Sequence, residues 1–386
     1  MVKAEKKKSH SKNFVVIGGA GYLGRYLVKG LLSAYKDVRI TVISRNKSKS
    51  LFFNDARVEV TTSLINIRHP YDTLYNLAYD QGVGYKDTKK LAEELVHQLK
   101  THLSQGFAKR LIHVSSIAVH GKTFSEDSVN PNPLRRISTD DPYCYSKGLV
   151  EKHLYELAHS QKIPTYIVRS GNIMGPGSVW ATKLVTRLID KQPILGLREE
   201  HPSNTTFVGN LVEGLIRLSK EHEIDDAPLR IMNFAEFGDV SWKKWLDPIV
   251  DMLQIKPEHW QTDDIKNFQP SLKEDLKQLK REMLRVALPM LAKGKASVKY
   301  ALKFADLMDA GKVKEKTKVF VNKTSQNGLS TLDVLEYNMA QVYLNRIAFG
   351  LENVPQSVSS DLPYDFHTAM ESILGWLKFG EFQLIL

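Results

Sequence analysis

Three residues could together move a proton at an oxygen-bearing carbon: Ser116, Tyr143 and Lys147. Tyr143 and Lys147 stand four apart in DPYCYSKGLVEK, which on a helix sets both side chains on one face. A free phenol ionises near pH ~10, so service near neutrality requires a drop of about three units, or about 4 kcal/mol. One ammonium about 5 Å away, at an effective dielectric of about 20, supplies about 3 kcal/mol. Lys147 can therefore provide most of the shift. Tyr143 would then give a proton to a carbonyl oxygen, or take it from an alcohol. Ser116, in SSIAVHG, would hydrogen-bond the same oxygen. Each residue also has a plainer reading: Ser116 as a strand-end cap, Tyr143 as a helix-start packing residue, Lys147 as a solvated charge. Tyr145 competes with Tyr143 but lies two residues from Lys147 and faces away.

Such chemistry needs a hydride carrier, and GGAGYLG places Gly18, Gly21 and Gly24 at a dinucleotide-type spacing. Glycine there allows the tight turn, the close approach of backbone to pyrophosphate and the packing of helix on strand. The helix that follows offers its first N–H groups to phosphate. The next apolar run ends in ISRNKSK, with Ser44, Arg45 and Lys47 where an NAD site would hold a carboxylate for the ribose hydroxyl. A guanidinium suits the 2′-phosphate of NADP, which an acid would repel. NADP is therefore the expected cofactor, with NAD the second choice; a solvated basic loop is the plain alternative.

These residues must be held by a sheet. FVVIG (14–18), VRITVI (38–43), TLYNLA (73–78), RLIHV (110–114) and TYIVR (165–169) read as buried parallel strands. Helical patterns at 25–35, at 88–104 and from Tyr143 onward separate them. The expectation is an α/β, Rossmann-type doubly wound parallel sheet over residues 13–180, after a disordered basic tail, 1–12. A smaller, mostly helical substrate lobe over 181–386 completes the chain. The strand-like LRIMNF (229–234) returns to the core, and a basic helical segment lies near 255–318.

GGAGYLG, SSIAVHG, YCYSK followed by Glu151, and RSGNIMGPGS (169–178) together resemble the extended short-chain dehydrogenases/reductases. Within them, the sugar epimerase/dehydratase and 3β-hydroxysteroid dehydrogenase branch is the most similar. The resemblance is strong over residues 13–180 and looser in NTTFVGNLVEG (204–214) and the closing PYDF…GWLK. It implies Ser116, Tyr143 and Lys147 as the catalytic set, with the cofactor touching Gly18, Gly21, Tyr22, Leu23, Gly24, Ser44, Arg45, Lys47, Leu77, Ala78 and Lys147. The chain departs from the family at several places. Ile17 replaces a Thr before the first glycine, and Thr61, Thr62 and Ser63 stand where an Asp often touches adenine. VYG becomes Val119-His120-Gly121. The Asp-Glu pair of the 4,6-dehydratases becomes Ile117-Ala118, without the acid and base that elimination requires.

The 386 residues, 42% hydrophobic and 25% charged, exclude a disordered chain or a fibrous repeat. Cys144, the single cysteine, excludes an intramolecular disulfide. The N-x-S/T matches at Asn204 and Asn322 read as chance, and the twelve histidines show no metal-ligand spacing. The net charge of +11 is local: the tail to Lys12 carries five lysines against one glutamate, and the rest of the excess lies in 280–318. No recognition motif accompanies it, so nucleic acid is not an expected partner. The expected location is the cytosol, with the basic amphipathic stretch 284–308 as a candidate peripheral membrane contact or, equally, a solvated helix. A small-molecule substrate is expected, and a homodimer stays open. The leading function is an NADP-dependent oxidoreductase interconverting a secondary alcohol and a ketone, on a lipophilic, sterol-like substrate. A nucleotide-sugar epimerase with retained dinucleotide and a non-catalytic dinucleotide-binding regulator are the alternatives.

Overall fold

The computed structural model describes residues 11–45, 53–78, 84–121, 124–134, 136–139, 142–190, 194, 199–221, 228–255 and 346–379. Seven parallel strands form the central sheet: β1 (Lys12–Ile17), β2 (Val38–Ile43), β3 (Val58–Thr61), β4 (Thr73–Asn76), β5 (Leu111–Ser116), β6 (Thr165–Ser170) and, after two short strands, β9 (Leu229–Phe234). Their order is β3-β2-β1-β4-β5-β6-β9. β1 is central: Val16 lies between Val42 of β2 and Tyr75 of β4. The chain winds outward in one direction from β1 through β2 and in the other through β4, which opens a crevice at their carboxyl ends.

Both faces are covered, which is why the strands read as continuous apolar runs. Phe14 and Val16 pack under α1 (Tyr22–Ala34) and a helix from much later in the chain, α5 (Val208–Leu218). Val15 and Ile17 face the opposite cluster, under α2 (Gly84–Leu103) and α3 (Pro142–Gln161). β3 was not expected; its half-buried VEVT lacks the apolar run of an inner strand because it forms the sheet edge.

The boundary at residue 180 divides the sequence but not the space. α5 packs on α1, and β9 is the seventh strand of the sheet, so the nucleotide-binding unit reaches well into the expected lobe. At the other end, Lys12 belongs to β1 and not to the tail. The rest of the described lobe comprises β7 (Asn172–Met174) paired with β8 (Thr205–Phe207), α4 (Val179–Ile189), α6 (Trp242–Leu253), α7 (Gln356–Ser359) and α8 (Phe366–Phe379). It has its own core of Met174, Leu184, Trp242, Trp245, Ile249 and Ile373. Most of the basic segment near 255–318, including 284–308, lies outside the described residues, as do Lys47 and Asn322.

Two asparagines of NTTFVGN fasten the returning chain. Asn204 accepts from the Phe349 N–H at 2.8 Å and donates to the Ile347 carbonyl at 2.9 Å. Asn210 does the same to both backbone groups of Tyr364, at 3.0 and 2.7 Å. Asn204 is fully buried, so a glycan has no access to it. The chain at 350–353 then covers the open edge of β9, with Asn233 N–H to Glu352 O and Ala235 N–H to Gly350 O at 3.1 and 2.9 Å. Covering the edge removes an unpaired row of backbone groups.

Candidate active site

The first glycines build the floor of the crevice. Gly18 has φ of +78°, which a side chain rarely adopts, and a Cβ on it would lie 3.3 Å from the backbone of both Leu77 and Ala78 after β4. Gly21 N–H closes the turn on Gly18 O at 2.9 Å. At Gly24 a Cβ would meet Gly18 O at 2.4 Å, so this glycine is what lets α1 press onto the strand end. Gly21 is the N-cap of α1 and supplies no side-chain hydrogen bond. The helix therefore starts at Tyr22, Leu23 and Gly24 with backbone N–H groups suited to an anion. The Tyr22 ring packs on Tyr26 at 5.2 Å and its hydroxyl abuts Gly175, leaving the backbone N–H as its contribution to a ligand.

This side-chain-free passage fits the pyrophosphate of a dinucleotide. Leu77 and Ala78 flank it, with Leu77 N–H bonded to Ile17 O at 3.0 Å. Ser44 and Arg45 follow β2 on the same edge; Ser44 N–H bonds Thr61 O at 2.9 Å and Arg45 is exposed. Of the residues at the family's adenine-contacting position, Thr61 accepts from Asn66 and Ser63 caps the turn at 64–66.

One strand along, β5 ends at Ser116. Its Oγ accepts from Ala118 N–H at 3.2 Å, capping a single turn over Ile117–His120. The strand-end-cap reading of Ser116 is thus real, yet compatible with chemistry. The bond uses a lone pair and leaves the hydroxyl hydrogen available to a ligand. Tyr143 lies in the first turn of α3, part-buried, and Tyr145 packs instead into the cluster between α2 and α3. Lys147, one turn on, is not a solvated charge: it is buried, and its Nζ donates to Val114 O at 3.0 Å. Burial pushes its pKa down to about 8, against the opposing pull of Glu151. Cys144, in the same helix, is also buried.

Sequence reasoning assigned no role to the polar groups beneath this set. Arg169 of β6 and Glu151 of α3 form a buried pair, with Arg169 Nη2 and Nε at 2.8 and 3.1 Å from the carboxylate. Glu151 lies four residues after Lys147, a spacing that could have marked it as facing the same way. Arg169 also donates to Asn132 O at 2.9 Å and to His120 Nε2 at 3.3 Å. His113, on β5, meets Asn76 of β4 at 3.1 Å, and burial with the nearby Lys147 holds its pKa down at about 3. Such residues hide in apolar strand patterns, because nothing local shows what lies opposite. No group of three or more His, Cys, Asp or Glu side chains among the described residues could hold a metal. Nor is any described helix long and apolar enough to cross a membrane.

The model of the NAD-dependent epimerase/dehydratase family matches residues 14–211, from β1 into α5. The chain belongs to this family. This places it in the extended short-chain dehydrogenase/reductase group that its sequence motifs resemble. A trifunctional UDP-glucose 4,6-dehydratase/UDP-4-keto-6-deoxy-D-glucose 3,5-epimerase/UDP-4-keto-L-rhamnose-reductase of Arabidopsis thaliana is 25% identical over 46% of this chain. That match covers 30% of the relative, so the chain spans less than a third of its length. UDP-glucuronic acid decarboxylase 4 of the same plant is 25% identical over 72% of this chain and 67% of its own. Among solved structures, a dTDP-glucose 4,6-dehydratase of Streptomyces venezuelae with NAD bound superposes with a TM-score of 0.53. It is 18% identical and covers 65% of this chain and 84% of its own. At that identity the likeness shows the fold.

Proposed function

We propose that this family member transfers hydride at a carbon bearing a hydroxyl or keto group, with Tyr143 as proton donor and acceptor. The observation that carries this reading is Lys147: a buried lysine, anchored two residues before Ser116 and one helical turn from Tyr143. Burying an ammonium is costly unless it is paired or hydrogen-bonded; Lys147 has the Val114 carbonyl as one such partner, and its field favours the phenolate of Tyr143. When bound, the dinucleotide supplies or accepts the hydride. Tyr143 holds the proton at its hydroxyl oxygen, Lys147 lowers the cost of losing it, and the free hydroxyl hydrogen of Ser116 steadies the substrate oxygen. Comparing Tyr143→Phe with the natural chain in a substrate screen tests this; unchanged turnover would refute it.

Two finer points belong to the same reading. Ser44 and the exposed Arg45 support NADP over NAD: Arg45→Asp should reverse the ratio of NADPH to NADH dissociation constants, and tighter NADH in the natural chain would remove the argument. The substrate is either a lipophilic ketone or a nucleotide sugar. The second is favoured by the curated relatives, whose names refer to UDP-sugars. Retained dinucleotide with no net change in nicotinamide absorbance during turnover would mark epimerisation. Dehydration is not proposed, because Ile117 is packed into an apolar cluster with Phe124 and Phe349 where the dehydratase acid would stand.

A further inference from the structure

We infer that His120 is a substrate-orienting residue, presenting a fixed Nδ1–H to an oxygen on the substrate beside the reacting carbon. The inference rests on the reading of Ser116 and Tyr143 as substrate-facing.

The argument begins at Arg169, which is fully buried. Its Nε and Nη2 are committed to Glu151 and to Asn132 O, and its Nη1 lies 3.3 Å from His120 Nε2. A guanidinium has donors and no acceptor, so Nε2 must be the lone-pair nitrogen, and the proton of a neutral ring sits on Nδ1. Arg169 cannot turn away, because Glu151 holds it across two atoms. The tautomer is therefore set by a buried ion pair, not by solvent.

Burial first, and this contact second, keep the imidazole neutral. Burial, with the Arg169 charge added to it, brings the His120 pKa down to about 4. With its lone pair on Nε2 engaged, the ring can serve neither as a base nor as a cation; one N–H donor remains. No described residue accepts from it, although the ring is only partly buried. Phe349 steadies the ring, stacked at 6.1 Å and 29°.

Position supplies the rest. His120 ends the turn that Ser116 caps, and Gly121, at φ +101°, closes it. This turn packs against α3, the helix of Tyr143 and Lys147, at the carboxyl edge of the sheet. The residue replaces the tyrosine of the family's VYG, so a neutral nitrogen donor stands in place of a phenol. Its natural partner is a hydroxyl, carbonyl or carboxylate oxygen.

The test uses the full chain with bound dinucleotide, and UDP-glucose, UDP-glucuronic acid and a 3-ketosteroid as probes. With whichever probe is turned over, His120→Phe should raise KM about tenfold while kcat stays within about twofold. His120→Asn, whose amide can replace the Nδ1–H, should recover most of the loss, and dinucleotide affinity should not change. Long-range 1H–15N correlation on the unmutated chain, independent of any substrate, should show His120 as the neutral Nδ1–H tautomer near pH 7. An unaltered KM in His120→Phe would overturn the assignment, as would a charged or Nε2–H ring. The tautomer measurement needs no substrate, so it decides the assignment of the ring even where none of the three probes is turned over, whereas the hydride-transfer reading is tested separately by Tyr143→Phe.

Discussion

Lys147 reaches from α3 to the backbone of β5, donating to Val114 O at 3.0 Å. This bond ties the helix that carries Tyr143 to the strand whose end carries Ser116. It holds an ammonium in a place with little water. Burial lowers the pKa of this lysine to about 8, so the charge is present at neutrality and is lost as the pH rises through that value.

Lys147→Met should therefore cut kcat/KM by a factor of about 10² or more and move its alkaline limb upward. The chain should remain folded, because removing a buried charge removes a desolvation cost. A pH–rate profile and a thermal melt on the same sample check both points. Wild-type rates in this variant would remove Lys147 from the mechanism.

Gly24→Ala tests the cradle. The added carbon would sit 2.4 Å from Gly18 O and 2.5 Å from Gly19 Cα, backbone atoms that yield only if α1 lifts from the sheet. Overpacking of this kind costs about 1–3 kcal/mol. Calorimetry should show weaker dinucleotide binding together with a lower melting temperature. Gly375→Ala, in α8 with open space around it and no positive φ, should leave binding unchanged.

Acid should destabilise the protein through two histidines. His113 and His120 have pKa values lowered to about 3 and about 4, whereas both return to about 6.5 when unfolded. Between these limits the unfolded chain binds more protons, so stability is full above pH ~6.5 and falls below it, by about 1.4 kcal/mol per pH unit for each histidine. Urea midpoints near neutrality and about 1.5 units below pH 6.5 should differ accordingly, and His120→Phe should reduce the slope. A flat profile would mean that neither ring is buried neutral.

Glu151→Leu should be among the most damaging single changes. It leaves the fully buried Arg169 guanidinium without its carboxylate, a loss of about 3–5 kcal/mol. Removing the charge as well, in Glu151→Leu with Arg169→Met, should recover much of that stability without restoring activity if His120 needs Arg169. Chemical denaturation beside a turnover assay separates the two effects.

Strand and helix positions were largely legible, because buried parallel strands and amphipathic helices leave periodic patterns. VRITVI became β2 residue for residue, and TYIVR lengthened by one to Ser170. β3 was missed because an edge strand does not need an apolar run. That α5 packs on α1 is not legible in the sequence, which shows that a face is apolar but not which sheet it covers. The glycine turn could be read because each glycine answers a local steric demand. The polar layer under Ser116 could not, since Arg169, Glu151, Asn132 and His120 come from segments far apart in the chain.

The sequence by itself thus determined the fold class and the family, and it marked the glycine turn and the residues Ser116, Tyr143 and Lys147 as the candidates. These depend on spacings within one turn of chain or on a short periodicity. Only the tertiary structure decided that Lys147 is buried and not solvated, that Asn204 and Asn210 hold the returning chain, and that His120 Nε2 faces the Arg169 guanidinium. Those properties depend on which distant atom each group meets, and on how much water is left between them.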